Sequence, residues 1–287
     1  MPGIVLVTGC SSPRGIGFAT ARALVEAGFT VHATVRDRSH VDELLAGLGT
    51  RLSVHDMDLL DPASVEGVVA KVIERDGRLD TLVNNAGYGL IGGVEQVDLG
   101  QARANFETNF FGTLGLVQEV LPAMRRQGGG LIVNVSTIFA PALSPPALGY
   151  YIASKAALEK VSEALAVEAA PWGLRVVNFQ PGPVMTDLER EWGARLDPAA
   201  DPRPTLGDEL YDWVLDDASP AGQSPAEVAA ALCELVRAGG PDLAAQSGDA
   251  AAAHVATALR DPTRAAELAA LRAAFARTLA ARTGQAG

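Results

Sequence analysis

The sequence predicts a doubly wound α/β domain: one parallel sheet with helices on both faces and an irregular lid in its C-terminal part. Three observations predict it. Short, nearly continuous apolar runs alternate with amphipathic stretches through the first 180 residues, the pattern of strands buried on both faces and joined by crossover helices. A glycine-bearing segment, TGCSSPRGIG at 8–17, stands between the first apolar run and the first helical one. The 287 residues are 48% hydrophobic and carry no internal repeat or dividing linker, so one domain spanning 1–287 is expected.

The elements follow in order. Residues 3–7 read as a strand and 17–27 as a helix. A strand at 30–35, a helix at 41–48 and a strand at 52–55 come next. Helix 62–75, strand 79–83, helix 101–127, strand 131–135, helix 151–169 and strand 175–179 complete the alternation. Beyond Phe179, six prolines punctuate an acidic excursion carrying Trp192, Tyr211 and Trp213. A long irregular segment in a compact domain is a functional lid or disordered; 187–222 is read as a substrate lid. Helix resumes at 225–237, and a last strand is weakly marked at 242–245. A C-terminal helix is expected over 263–283, with Leu268, Leu271, Phe275 and Leu279 at helical spacing, packed on their own domain or, as the alternative, on another subunit.

Composition excludes several functions. The formal net charge is −11, which no phosphate backbone attracts, so nucleic acid is not a partner. Residues 187–217 hold ten of the acids and three arginines, a solvated surface. Cys10 and Cys233 lack metal-ligand spacing and read as buried apolar residues. No apolar stretch approaches the ~20 residues of a membrane span, and the N-terminus lacks a signal-peptide pattern. A soluble, cytoplasmic protein with no membrane partner is expected. The four histidines, at 32, 40, 55 and 254, avoid the motifs between 84 and 187. A Ser-His-Asp hydrolase and a bound metal are therefore not expected, and the scattered carboxylates do not suggest a glycosidase pair.

Gly9 ends the first strand, where a turn brings backbone close to a phosphate; Gly15 and Gly17 open the helix, whose free N–H groups and dipole favour an anion. Gly9 and Gly15 are six apart, with Pro13 and Arg14 between them. Pro13 fixes one φ angle, so the longer loop can still be stiff. The second strand ends in Arg36, where an NAD site has Asp or Glu. Guanidinium suits a 2′-phosphate, and Arg14 lies within reach of the same group. NADP(H) is the predicted cofactor; both arginines as plain surface charges is the competing reading. Further on, Tyr151 and Lys155 fall one turn apart on one helix face. An ammonium beside a phenol favours phenolate, and Lys155 is one of only three lysines against 20 arginines.

With NNAG at 84–87, DMDL at 56–59, ETNFFG at 107–112, NVST at 134–137, YIASK at 151–155 and PGPVMTD at 181–187, the chain resembles the short-chain dehydrogenase/reductase family. Within it, VHATVRD and PGPV are most similar to hydroxysteroid- and retinol-dehydrogenase-like members. The resemblance implies a Rossmann-type dinucleotide-binding catalytic domain. It implies Tyr151 as general acid in ketone reduction and base in alcohol oxidation, and Lys155 as holder of the nicotinamide ribose that lowers the phenol pKa. Asn109 would anchor a water relay behind Lys155. The cofactor would meet Gly9, Ser11, Ser12, Arg14, Gly15, Ile16 and Gly17 in the first turn, then Arg36, Asp58 and Leu59. Asn85, Ala86 and Gly87 would line the adenosine and ribose side. Pro181, Gly182, Val184 and Thr186 would hold the carboxamide end. Two departures stand out. The family's glycine turn is normally two residues shorter. Its usual serine, 13 positions before the tyrosine, is here Ile138, so Thr137, or else Ser136, must polarise the carbonyl.

The reading is thus an NADPH-dependent oxidoreductase interconverting a carbonyl and an alcohol. The rival is a non-catalytic NADP(H)-binding regulator on the same fold. The lid aromatics and residues 139–148 either wall a pocket for a bulky apolar ketone or form lid core. The resemblance also implies a homodimer or homotetramer.

Overall fold

The computed structural model describes residues 3–36, 47–184, 186, 222–261 and 263–283. Its seven strands are β1 (Ile4–Val7), β2 (Thr30–Val35), β3 (Leu52–Asp56), β4 (Thr81–Asn84), β5 (Gly130–Val135), β6 (Leu174–Gln180) and β7 (Ala244–Gln246). They form one sheet in the order β3-β2-β1-β4-β5-β6-β7, every neighbouring pair parallel. The chain winds outward from β1 in one direction, then returns to start β4 on β1's other side. That reversal opens a crevice beyond the carboxyl ends of β1 and β4, the place where such sheets bind ligands.

The helices are α1 (Ile16–Glu26), α2 (Pro62–Asp76), α3 (Leu99–Phe106), α4 (Thr113–Gln127), α5 (Gly149–Ala169), α6 (Pro225–Ala238), α7 (Asp249–Arg260) and α8 (Ala265–Thr283). Side chains alternate along a strand, and β1 uses both sides. Val5 and Val7 join Leu24 and Val25 of α1 and Val228 and Leu232 of α6 in one core. Leu6 joins Val65 and Val69 of α2, Leu116 and Val120 of α4 and Leu165 of α5 in the other. Leu6, Leu24, Leu116 and Leu232 are fully buried, each contributing about 1.5–3 kcal/mol.

Helix ends are locally specified. At α2, Asp61 accepts from the Ala63 amide, Pro62 occupies the first turn, and Gly77 closes the helix at φ 74°. Asp98 with Gln101, and Ser224 with Glu227, make capping boxes for α3 and α6.

Several expectations are corrected. The helix expected over 101–127 is two helices joined by a π-helical turn, Glu107–Gly112; its periodicity continues through the turn, so the sequence pattern does not reveal it. The last strand is Ala244–Gln246, not 242–245. Helix α7 was not anticipated, because its buried stripe, Ala251, Val255 and Ala258, is mostly alanine and stands out little from the alanines around it. The C-terminal stripe does not act as expected at Leu268, which is exposed. Instead α8 is tied to the chain near residue 142 by polar groups. Arg264 donates to the carbonyls of Pro141 and Ala142, and Glu267 accepts from the Leu143 amide. Most of the helix expected at 41–48, and the lid with its aromatics, lie outside the described residues. Cys10 and Cys233 are free and buried. Among the described residues, no helix is long and apolar enough to cross a membrane and no cluster is placed to hold a metal.

Candidate active site

The glycine segment leaves β1 through Gly9, at φ 75°. A Cβ there would stand 2.7 Å from the Ala86 Cα, so only glycine fits. A Cβ on Gly17 would collide with the Gly9 carbonyl and the Asn85 amide; α1 is pressed onto the ends of β1 and β4. The two additional residues form a turn of their own. The Gly15 amide donates to the Ser12 carbonyl at 3.0 Å, closing a β-turn with Pro13 and Arg14 at its centre. Pro at the second position and Gly at the fourth suit a type I turn. The insertion therefore lifts Arg14 into solvent and leaves both glycine anchors in place.

Where α2, α3 and α6 have side-chain caps, α1 opens at Gly15 with none. Its first-turn amides have no capping side chain, the condition under which a helix N-terminus accepts an anion, and on that observation a dinucleotide fits. The adjoining strand end is joined to the same turn. The Cys10 amide donates to the Thr34 carbonyl at 2.9 Å, and the Arg36 amide donates to Ser11 Oγ at 3.0 Å. Arg36 is exposed beside the glycine turn. Asp58 is exposed beyond β3, one carboxylate oxygen accepting from the Leu60 amide; Leu59 packs beneath it against Gly112.

NNAG continues β4 into the crevice. Asn84 Nδ2 donates to Asn134 Oδ1, and Asn134 Nδ2 to Ser162 Oγ on α5, each at 2.8 Å. The Asn85 amide nitrogen is committed to the carbonyls of Thr8 and Gly9; it braces the first turn. The Ala86 amide donates to Thr8 Oγ1. A Cβ on Gly87 would stand 2.8 Å from Asn109 Oδ1 and 3.4 Å from Lys155 Nζ, so this glycine lets three segments meet.

The π turn turns Asn109 inward. Fully buried, its Oδ1 accepts from the Tyr88 amide, and its Nδ2 donates to the Tyr88 carbonyl at 2.9 Å and to Ser154 Oγ at 3.1 Å. Asn109 thus clips the NNAG segment to α5. Along α5, Tyr151, Lys155 and Glu159 recur every four residues on one face. Lys155 is buried and donates to the Val135 carbonyl at 2.8 Å. Burial pushes its ammonium down to about 8, opposed by the charge of Glu159. Burial pushes the half-buried Tyr151 phenol up to about 12. For the phenol desolvation prevails, and the Lys155 ammonium bonds to the Val135 carbonyl.

Beyond β5, Ser136 and Thr137 part. The Ser136 hydroxyl is buried without a well-formed hydrogen bond and faces the Glu159 carboxyl on α5. Thr137 accepts from the Phe139 amide at 3.4 Å and keeps 8% exposure against 3% for Ser136. Ile138 is buried in an apolar cluster with Ala251 and Val255, as its side chain requires. Pro181 accepts from the Ile138 amide, Gly182 donates to Ser247 Oγ, and Val184 bridges to Gln223, so this segment lies beside the end of β5. Thr186 is half-buried just beyond it.

Sequence reasoning missed Glu159 and Gln180. Glu159 Oε1 accepts from Gln180 Nε2 at 2.9 Å, and Gln180 Oε1 from Gln246 Nε2 at 2.6 Å. The available signal was a second four-residue step, from Lys155 to Glu159.

This geometry agrees with the chain's relatives. The family model described as short chain dehydrogenase matches residues 3–197. The 3-ketodihydrosphingosine reductase of Bacteroides thetaiotaomicron is 38% identical over 63% of this chain, and the chain spans only 64% of that protein. Human retinol dehydrogenase 8 is 34% identical over 86% of this chain and 81% of its own length. A short chain dehydrogenase from Burkholderia cenocepacia, solved in complex with NADP, superposes with a TM-score of 0.72 at 28% identity, over 93% of this chain and 96% of that one. A Rossmann-type sheet, the uncapped first helix and a match covering more than half of the sequence lead to one assignment: the chain belongs to the short-chain dehydrogenase/reductase family of oxidoreductases.

Proposed function

We propose that the protein is an NADPH-dependent carbonyl reductase that interconverts a ketone or aldehyde and its alcohol, with Tyr151 exchanging the proton. The observation that carries this reading is the meeting of Gly87, Asn109 and Lys155 at the carboxyl ends of the central strands, on the helix that bears Tyr151. When bound, the nicotinamide supplies or accepts the hydride. The α1 amides and the 11–15 turn hold phosphate; Arg14 and Arg36 pair with a 2′-phosphate. Lys155, which reaches the Val135 carbonyl, would hold the ribose hydroxyls, and Thr137 would donate to the substrate oxygen. A phenol keeps its proton at neutral pH, so Tyr151 has one to give to the substrate oxygen during reduction. The relatives named for retinol and for a ketodihydrosphingosine point to molecules with a long hydrocarbon portion, which supports a substrate with such a portion here.

The test is a fluorescence titration with NADPH and NADH, followed by turnover on a panel of apolar ketones. NADPH should bind more tightly, and Arg36→Ala or Arg14→Ala should each weaken it about tenfold or more, the worth of one charged hydrogen bond, while leaving NADH unaffected. A preference for NADH would overturn the arginine assignment. Tight NADPH binding without turnover of any carbonyl would make the chain a regulator rather than a reductase.

A further inference from the structure

We infer that Glu159 is a positioning residue for Lys155: its buried carboxylate, one helical turn beyond the lysine and anchored to β6 and β7 through glutamines, is the counter-charge for the active-site ammonium. The inference rests on Lys155 serving the site proposed above.

A desolvated ammonium is costly unless an opposite charge stands close. Lys155 is 5% exposed, and the Val135 carbonyl it reaches is neutral. Glu159 is 6% exposed and on the same face of α5. Its carboxylate is fixed by Gln180, which Gln246 fixes in turn; Asn178 reaches its backbone carbonyl. From β5 and β6 the groups facing the pair are the neutral Ser136, Asn178 and Gln180, and from the π turn the neutral Asn109. On α5 itself the neighbouring Tyr151 is a neutral phenol. Lys160 and Glu163 act on Glu159 with opposite signs and pair with each other at the surface. Among the described residues this leaves Glu159 as the buried anion beside Lys155. Burial draws both groups towards their neutral forms; the Glu159 charge opposes that draw on Lys155, while hydrogen bonds from Ser136 and Gln180 oppose it on Glu159.

The chain has three lysines, Lys71, Lys155 and Lys160. Full-length protein labelled with ¹⁵N at lysine Nζ therefore allows Lys155 to be titrated directly by NMR without any ligand. In the wild type its midpoint should lie near about 8. In Glu159→Gln it should fall by about one unit or more. An unchanged Lys155 midpoint in folded Glu159→Gln would overturn the inference. Should that variant not fold, Glu159→Asp decides: its shorter reach must lower the midpoint by a smaller amount, and no movement overturns the idea equally. The alkaline limb of kcat/KM with NADPH and a ketone should move down by the same interval. A shifted lysine without turnover in the wild type would leave the pairing standing and sink the reductase reading. Turnover with an unshifted lysine would do the reverse.

Discussion

Lys155 and Glu159 lie beyond the ends of β5 and β6, while on the other wing of the sheet His32, His55 and Asp76 tie β2 and β3 to the end of α2. Both clusters are hydrogen-bonded and centre on a buried cation former, Lys155 in one and His32 in the other. In both, burial lowers the pKa of a cation, the Lys155 ammonium and the His32 imidazolium. They differ in closure. His32 Nε2 lies 2.7 Å from Asp76, and His32 Nδ1 lies 2.8 Å from His55 Nε2. A carboxylate only accepts, so His32 donates to Asp76 and accepts from His55. Both nitrogens of the buried ring are thereby used. Lys155, with three protons, has the Val135 carbonyl and stands against Gly87. A perturbed titration therefore does not by itself mark a chemical site. Position at the sheet's switch point and, among the described residues, ammonium protons beyond the one on Val135 distinguish the two.

The sharpest way to break this contrast is to remove the phenol. Tyr151→Phe should lower kcat by about 10²–10⁴-fold, the usual range for a lost general acid, with NADPH affinity and unfolding midpoint retained. Steady-state turnover, cofactor titration and urea denaturation measured together check it. A variant that keeps its activity would deprive the lysine cluster of its chemistry and make it as closed as the histidine one.

Asp76→Ala should do the opposite, costing about 1–3 kcal/mol of stability by leaving the His32 N–H without its acceptor, and leaving turnover largely unaffected. The same cluster has a pH signature. Because burial holds His32 below its ordinary value, the unfolded chain takes up this proton first as pH falls. Its contribution to stability is full above the unfolded value of about 6.5 and is lost as pH drops from there towards the lower native one. Without Asp76, which favours the charged ring, the native value drops further and the loss continues to lower pH. Urea midpoints at pH 7.5, 6.5 and 5.5 read both effects.

Much of the frame was legible because β1, β2, β4, β5 and β6 are nearly continuous apolar runs and a parallel sheet buries both faces. Tyr151 and Lys155 were legible because a four-residue step survives in any helix. The π turn was not, since one added residue per turn leaves the residue types unchanged. Nor was the division between Ser136 and Thr137, which depends on Glu159 standing opposite, a contact between β5 and α5. The histidine chain joins residues 32, 55 and 76 through the β2–β3 register and the end of α2, and no local spacing announces it. Helix α8 looked like an apolar stripe, yet its described contacts run through Arg264 and Glu267.

The inserted Ser12–Gly15 turn gives the smallest and most selective test of the comparison, because it follows the carboxyl end of β1, beside the crevice between β1 and β4. Pro13 presets φ for the second position of that turn. Replacing it with Ala keeps every hydrogen bond, since a proline has no N–H to lose, and mainly widens the unfolded ensemble. Pro13→Ala should therefore cost about 0.4–1 kcal/mol. The turn carries Arg14, so part of that ordering cost should reappear as weaker NADPH binding, a few-fold at most, with NADH binding and the His32 pH signature unchanged. Equal weakening of both cofactors would mean that the turn shapes the phosphate cradle as a whole. Weakening confined to NADPH would mean that the two added residues exist to present a cation, and that the open side of the sheet is tuned by its loops while the closed side is fixed by its core.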